Sequence, residues 1–330
     1  MVRQGWNGYK MRLVGLYIFL AVTIGLGLLF PDNYYVSVVG STAFFHIILA
    51  VALNLFMGYA GQISLGHAAF FGIGAYTSAI LTTRFNLNPF VAMFAGAMLT
   101  GALSTVLARP ILKLKGHYLA MATLGLGIIV HIFLVQEEWL TGGPDGLSGI
   151  PPIKIASLVV DTDIQWYFIL CAVSAMTIWI SLNLMDSRMG RALRAIHGSE
   201  IAAEVLGIDT ASAKAQVFVL SAVLTSIAGS LFVHQQAFIS PDSCSFAFSV
   251  ELVTMVVLGG LGSTFGAVFG AAILTFLPEF LVHFEELEVL LYGAILMCIM
   301  IFLPKGVFVS AVDGVMHLFQ RRCVRDVGSS

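Results

Sequence analysis

The chain has 330 residues, 58% of them apolar and only 10% charged, with a formal net charge of −2. Soluble domains carry about 25% charged residues, so this composition excludes an ordinary soluble protein, and the near-neutral charge argues against nucleic acid as a partner. Four cysteines, Cys171, Cys244, Cys298 and Cys323, are scattered without CxxC or His/Cys spacing. They support neither a zinc site nor a disulfide framework.

A helix needs roughly 20 apolar residues to cross the hydrocarbon core. Long uninterrupted apolar runs fit helices, whereas a barrel would show short alternating strands. In chain order the runs are Leu13–Phe30, Val36–Met57, Ile63–Thr82, Pro89–Ala108, His117–Gln136, Ile164–Leu184, Ala213–Gln236, Ser245–Leu277 and Leu287–Leu303. The first follows Arg3, Lys10 and Arg12 as a signal peptide would. It is long for that role and ends in Phe30-Pro31-Asp32-Asn33 without a small-residue cleavage site, so it reads as a retained helix.

The run Ser245–Leu277 contains Leu258-Gly259-Gly260-Leu261-Gly262-Ser263, where glycines weaken a continuous helix. A turn there gives about ten crossings with both ends on the inside. Every Lys and Arg except Arg84 and Lys154 then falls on the cytoplasmic side, including Lys305, Arg321, Arg322 and Arg325 in the tail. A single crossing would instead put the acidic stretch Glu279, Glu285, Glu286, Glu288 inside. The expected fold is all-α: a polytopic helical membrane protein, one transmembrane domain over residues 1–330.

Two connections stand out. Residues 137–163, expected outside, hold the Gly/Pro-dense turn Thr141–Gly149. No Lys follows its glycines as a Walker A loop requires, so it reads as a structured periplasmic loop. Residues 185–212, expected inside, read as an amphipathic helix. Arg188, Arg191 and Arg194 alternate with Met189, Leu193 and Ile196, and Ile201, Val205 and Leu206 continue the helical period. A basic amphipathic helix can rest on anionic lipid. Here Glu200, Glu204 and Asp209 oppose that, and the small residues Ala202, Ala203 and Gly207 suit a protein groove. The segment is expected to dock to a partner outside the bilayer.

Between Asn54 and Tyr76 polar side chains occupy a membrane-depth run. Asn54, Gln62, Ser64 and His67 cannot face lipid cheaply, and Gly58, Gly61, Gly66, Gly72 and Gly74 permit bending and close approach. They either line or hinge a translocation pathway or hydrogen-bond neighbouring helices. Glu251 is the only carboxylate well inside an apolar run, and a proton relay would need a partner acid. Gly66–Gly74 and Gly262–Gly270 echo each other weakly, as repeats in transporter folds do, although small residues also simply let helices pack. No catalytic, metal-binding or ATP-hydrolysing constellation is present.

The segments GYAGQISLGHAAFFGIGAY, KGHYLAMATLGLG, TGGPDGLSGIP, GRALRAIHGSEIAAEVLGID and VVLGGLGSTFGAVFGA occur in that order, followed by LPEF and LYGAILMCIMIFLPKGVF. Together they resemble the branched-chain amino acid permease family of bacterial ABC importers, LivM type, over roughly Tyr35–Phe308. The resemblance implies an inner-membrane subunit with both termini cytoplasmic, paired with a second related permease. Two cytoplasmic ATPase subunits would use ATP, this chain itself needing no cofactor. A periplasmic binding protein would deliver leucine, isoleucine or valine.

Gly190 and Arg191 would open the coupling loop, with Glu200, Ala203 and Gly207 in its docking turn, and motion would pass through Arg188–Asp209. Gln62, Ser64, Gly66 and His67 match the family segment beside the path, next to Asn54. The chain departs from the pattern at His197-Gly198-Ser199 and at Glu288. Two other readings stay open: the same architecture carrying urea or short amides, and an ion-coupled carrier working alone.

Overall fold

The structure, a computed structural model, describes residues 2–155, 158–282, 288–303 and 306–311. Glu285, Glu286, Lys305, Arg321, Arg322, Cys323 and Arg325 lie outside them. In chain order the helices are α1 (Val2–Leu29), α2 (Gly40–Asn54), α3 (His67–Arg84), α4 (Pro89–Ile111), α5 (His117–Gln136) and the short α6 (Glu138–Thr141). Then come α7 (Asp163–Asp186), α8 (Arg188–Gly198), α9 (Glu200–Val205), α10 (Thr210–Gln236), α11 (Phe246–Gly259), α12 (Thr264–Leu281) and α13 (Glu288–Phe302). Wider π-helical turns, Tyr35–Val39 and Leu55–Tyr59, extend α2 at both ends.

Six stretches are long and apolar enough to cross a membrane: Tyr35–Tyr59, Pro89–Ile111, His117–Gln136, Asp163–Asp186, Thr210–Gln236 and Thr264–Leu281. Leu13–Leu29, Phe246–Gly259 and Leu290–Ile299 are shorter apolar helices. The chain is an all-α, multi-pass membrane protein. Its described strands are two residues long. β1 (Leu147–Ser148) pairs antiparallel with β4 (Phe238–Ile239), and β2 (Lys154–Ile155) with β3 (Leu158–Val159).

The run Ser245–Leu277 divides where its glycines predict. Gly260 (φ +116°) and Gly262 (φ +73°) adopt the positive φ that a side chain resists, and α12 starts over a Ser263 cap on Gly266 N. The run Ile63–Thr82 differs from expectation, because helix begins only at His67. Ala60–Gly66 forms an irregular crossover instead: Leu65 N donates to Thr123 Oγ1 of α5 at 3.0 Å, not to a carbonyl of its own turn. The 185–212 segment also differs. Ser199 is extended (φ −162°) and caps a new helix by accepting from Ala202 N, so one amphipathic helix becomes α8 and α9.

Buried apolar side chains gather in two clusters. One joins Phe45, Phe71, Tyr167 and Met255; the other joins Phe56, Phe70 and Phe218 to Leu193, Ile196 and Ala203 of α8 and α9. The second cluster sets α8 and α9 directly on the crossover. A Cβ at Gly15 would meet Phe265, and one at Gly306 would meet the backbone of Gly260. Residues 15 and 306 therefore lie beside the α11–α12 turn, at the same end of the molecule as α8 and α9.

Candidate functional site

The 185–212 segment is built from caps. Ser187 accepts from Met189 N and Gly190 N to start α8. Gly190 is buried so close to α7 that a Cβ would collide with the carbonyls of Leu184 and Met185. Leu193 and Ile196 turn inward, while Arg188, Arg191 and Arg194 are exposed. α9 ends in a Schellman arrangement: Ile208 N bonds Ala203 O and Gly207 N bonds Glu204 O, with Gly207 at φ +81°. Asp209 then caps α10 by accepting from Ser212 N at 3.0 Å.

One charge cluster ties this segment down. Glu200 Oε1 lies 2.8 Å from Lys214 Nζ and 3.7 Å from Lys115 Nζ. Lys214, at the start of the second turn of α10, is only 2% exposed, so removal of Glu200 would leave a buried cation without its acid. Burial alone would raise the Glu200 pKa. The hydrogen bond and charge of Lys214, with Lys115 adding, outweigh that and hold the carboxyl below its ordinary range. Ala203 is buried against the chain's own core.

The outward face of α9 and the turn that follows is apolar, with Ile201 73%, Val205 81% and Leu206 78% exposed. Sequence periodicity marked these residues as a face without revealing which way it turns. They form a small hydrophobic knob beyond the ends of the long helices.

Of the polar residues expected near a pathway, Asn54 and His67 tie distant elements together. Asn54 is fully buried; its Nδ2 donates to Ser263 O (3.0 Å) and its Oδ1 accepts from Gly262 N (3.1 Å). It thus clamps the α11–α12 turn. Tyr59 adds a second hold, with its hydroxyl 2.8 Å from Thr264 Oγ1, which also meets Ser181 Oγ at 2.9 Å.

Around His67 the hydrogen bonds run one way. Ser221 donates to Ala52 O, so it must accept from His67 Nε2–H at 2.7 Å; His67 Nδ1 is then left to accept from Ser64 at 2.9 Å. The neutral imidazole joins α2, α3 and α10. Gln62 folds back onto Ala60 O. Gly66 lies so close to α5 that a Cβ would collide with Thr123 O, and Gly61 abuts His197 of α8.

Asn54, Gln62, Ser64, Gly66 and His67 therefore form one junction beneath α8. A cavity of about 210 Å³ lies farther along the helices, between Phe45, His46, Phe71, Phe232, Ser243 and Phe248. None of the junction residues lines it. His46 was not singled out from the sequence, since a lone histidine in an apolar run carries no motif. Its Nδ1 donates to Thr275 Oγ1 at 2.7 Å, because that hydroxyl is already committed to Ala271 O.

The family described as branched-chain amino acid transport system, permease component, matches residues 35–300. The high-affinity branched-chain amino acid permease protein LivM of Salmonella typhimurium is 32% identical over 284 residues, 79% of this chain and 67% of that protein. LivM of Escherichia coli K12 is equally similar, and LivH of the same organism is 26% identical over 81% of this chain and 91% of its own. No solved structure matches. A match spanning the long helices, the crossover and the α8–α9 segment alike makes this chain a member of the family of permease components of branched-chain amino acid transport systems.

Proposed function

We propose that the chain is one permease subunit of an ATP-driven importer carrying leucine, isoleucine and valine across a bacterial inner membrane. It crosses about ten times with both termini cytoplasmic and pairs with a second, related permease. Two ATPase subunits bind below and consume the ATP, and a periplasmic binding protein delivers the amino acid above. The likeness to both LivM and LivH supports a paired arrangement.

The observation that carries the coupling role is α9: a short helix locked inward by Glu200–Lys214 while Ile201, Val205 and Leu206 point out. Exposed apolar area of that kind is recovered when a partner covers it, at about 25 cal/mol per Å². Arg188, Arg191 and Arg194 flank the knob, and Gly190, Ala203 and Gly207 shape its seat. ATP-driven closure would move α9, and α8 would pass that motion to the crossover through Gly61 and the shared core. The Asn54–His67 junction then acts as a hinge support beside the path, with the aromatic cavity near His46 on it.

The test is labelled leucine uptake, with urea in parallel, by cells carrying the wild-type chain or Ile201→Ser/Val205→Ser/Leu206→Ser. The triple variant is expected to insert at wild-type levels, to lose co-purification with the ATPase and to lose ATP-dependent leucine uptake. Normal leucine uptake by the variant would remove the knob from the mechanism. Urea uptake without leucine uptake by the wild type would overturn the substrate.

A further inference from the structure

α4 and α10 are joined in mid-span, where the Thr100 hydroxyl donates to Ser226 Oγ at 3.0 Å. Toward the end that carries α8 and α9, a groove of about 800 Å³ opens between them. Its walls include Leu112, Val219 and Val223, and its mouth is polar, with Arg109 and Lys113 on the α4 side and Asp209 on the α10 side. Arg109 and Lys113 are exposed, and among the described residues neither makes an ion pair or hydrogen bond. Asp209 is engaged as the cap of α10. The mouth is therefore cationic and the interior apolar.

We propose that this groove holds one anionic phospholipid, its phosphate between Arg109 and Lys113 and an acyl chain along Leu112, Val219 and Val223. The dimensions agree. From Ser212 to Val223 α10 rises about 16 Å at 1.5 Å per residue, close to the roughly 15 Å hydrocarbon depth of one leaflet. The charge agrees as well. A helix of a protein partner would fill the apolar walls but leave two cations unmatched unless it brought acids of its own. A lipid phosphate supplies the anion and the tail in one molecule, and basic pockets between membrane helices suit such head groups.

The occupant would bridge the end of α4 to the first turns of α10, which also carry Lys214, the anchor of α9. The lipid is thus a structural ligand next to the coupling segment. Its binding depends neither on the transported substrate nor on the orientation of the chain in the membrane, so it can fail or succeed independently of the transport assignment.

The test uses the intact protein, purified from membranes in mild detergent and exchanged into nanodiscs of phosphatidylglycerol mixed with phosphatidylcholine, followed by extraction and mass spectrometry of retained lipid. Wild type is expected to retain phosphatidylglycerol preferentially, and Arg109→Gln/Lys113→Gln to lose at least about tenfold of that retention. Both substituted positions are exposed, so folding is preserved. In parallel, Gln216→p-benzoylphenylalanine, on the groove wall, is expected to give a phospholipid adduct on irradiation. Unchanged phosphatidylglycerol retention in the double variant, equal retention of both lipids by the wild type, or an adduct with another polypeptide would each overturn the proposal.

Discussion

The junction around Asn54 and the segment from Ser187 to Lys214 touch each other, yet they treat their polar and apolar groups in opposite ways. At the junction, Asn54, Tyr59 and His67 bond to groups on elements far along the chain, and Ser64 bonds to His67. Along α9, the acid Glu200 is turned inward and paired, while three large apolar side chains are left uncovered. The hydrocarbon offers no water, so a polar group at membrane depth must find its partner within the protein. Outside the bilayer the constraint is lifted, and an apolar face can be kept open for another chain. One region is closed on itself; the other leaves an apolar face uncovered.

Substitution at Asn54 should break this comparison most sharply. Asn54→Leu keeps the branched outline of the side chain but strands Gly262 N–H and Ser263 C=O, at roughly 1–3 kcal/mol each. A loss of about 4 kcal/mol in thermal unfolding is expected, together with loss of uptake; an unchanged melting temperature would show that the clamp carries no weight. Next comes Glu200→Lys, which brings a third ammonium group against Lys115 and Lys214. Breaking the pair should cost about 3 kcal/mol, the low end for buried pairs because Glu200 keeps some access to water. The cost should fall mainly on α9, so that insertion survives and ATP-driven uptake does not. The exchange Glu200→Lys/Lys214→Glu should recover part of the uptake, and a single variant that transports normally would end the pair's role.

The pH dependence of α9 offers a third, smaller effect. The folded-state pKa of Glu200 is depressed, so the ion pair contributes its full stability above the ordinary carboxylate range and loses it as pH falls through the lowered value. Protection of the α9 segment from protease should persist as pH falls from 7 through the ordinary carboxylate range and collapse only beneath it. In Glu200→Gln the acid-dependent step should vanish. The smallest effect is expected at Ser64→Ala, which removes one local hydrogen bond to His67, worth about 1 kcal/mol. A loss above about 2 kcal/mol there would mean that His67 changes tautomer and the whole chain of bonds is rebuilt.

Much of this organisation was legible in the sequence. The apolar runs lie on the long helices, and the glycines of Leu258–Ser263 mark the α11–α12 turn, because length, hydropathy and positive φ are local properties. The charged 185–212 segment was legible for the same reason. What was hidden is pairing. Nothing local to Glu200 says that its acid meets Lys214, since the contact depends on the Gly207 turn reversing the chain between them. Likewise Asn54 reads only as a costly polar residue, and its answer, a turn more than two hundred residues later, is a tertiary fact. The extended Ser199 was concealed in a stretch whose helical period continues across it.

That distance along the chain has a consequence in time. Asn54 and Gly262 are 208 residues apart, and synthesis proceeds at about 5–20 residues per second. The amide of Asn54 therefore enters the membrane roughly 10–40 s before its partner exists. During that interval α2 must borrow a partner, from water at the insertion site or from the insertion machinery, and release it when the α11–α12 hairpin arrives. Biogenesis of this permease ends with an exchange of hydrogen bonds, and a chain cut before residue 262 would never complete it.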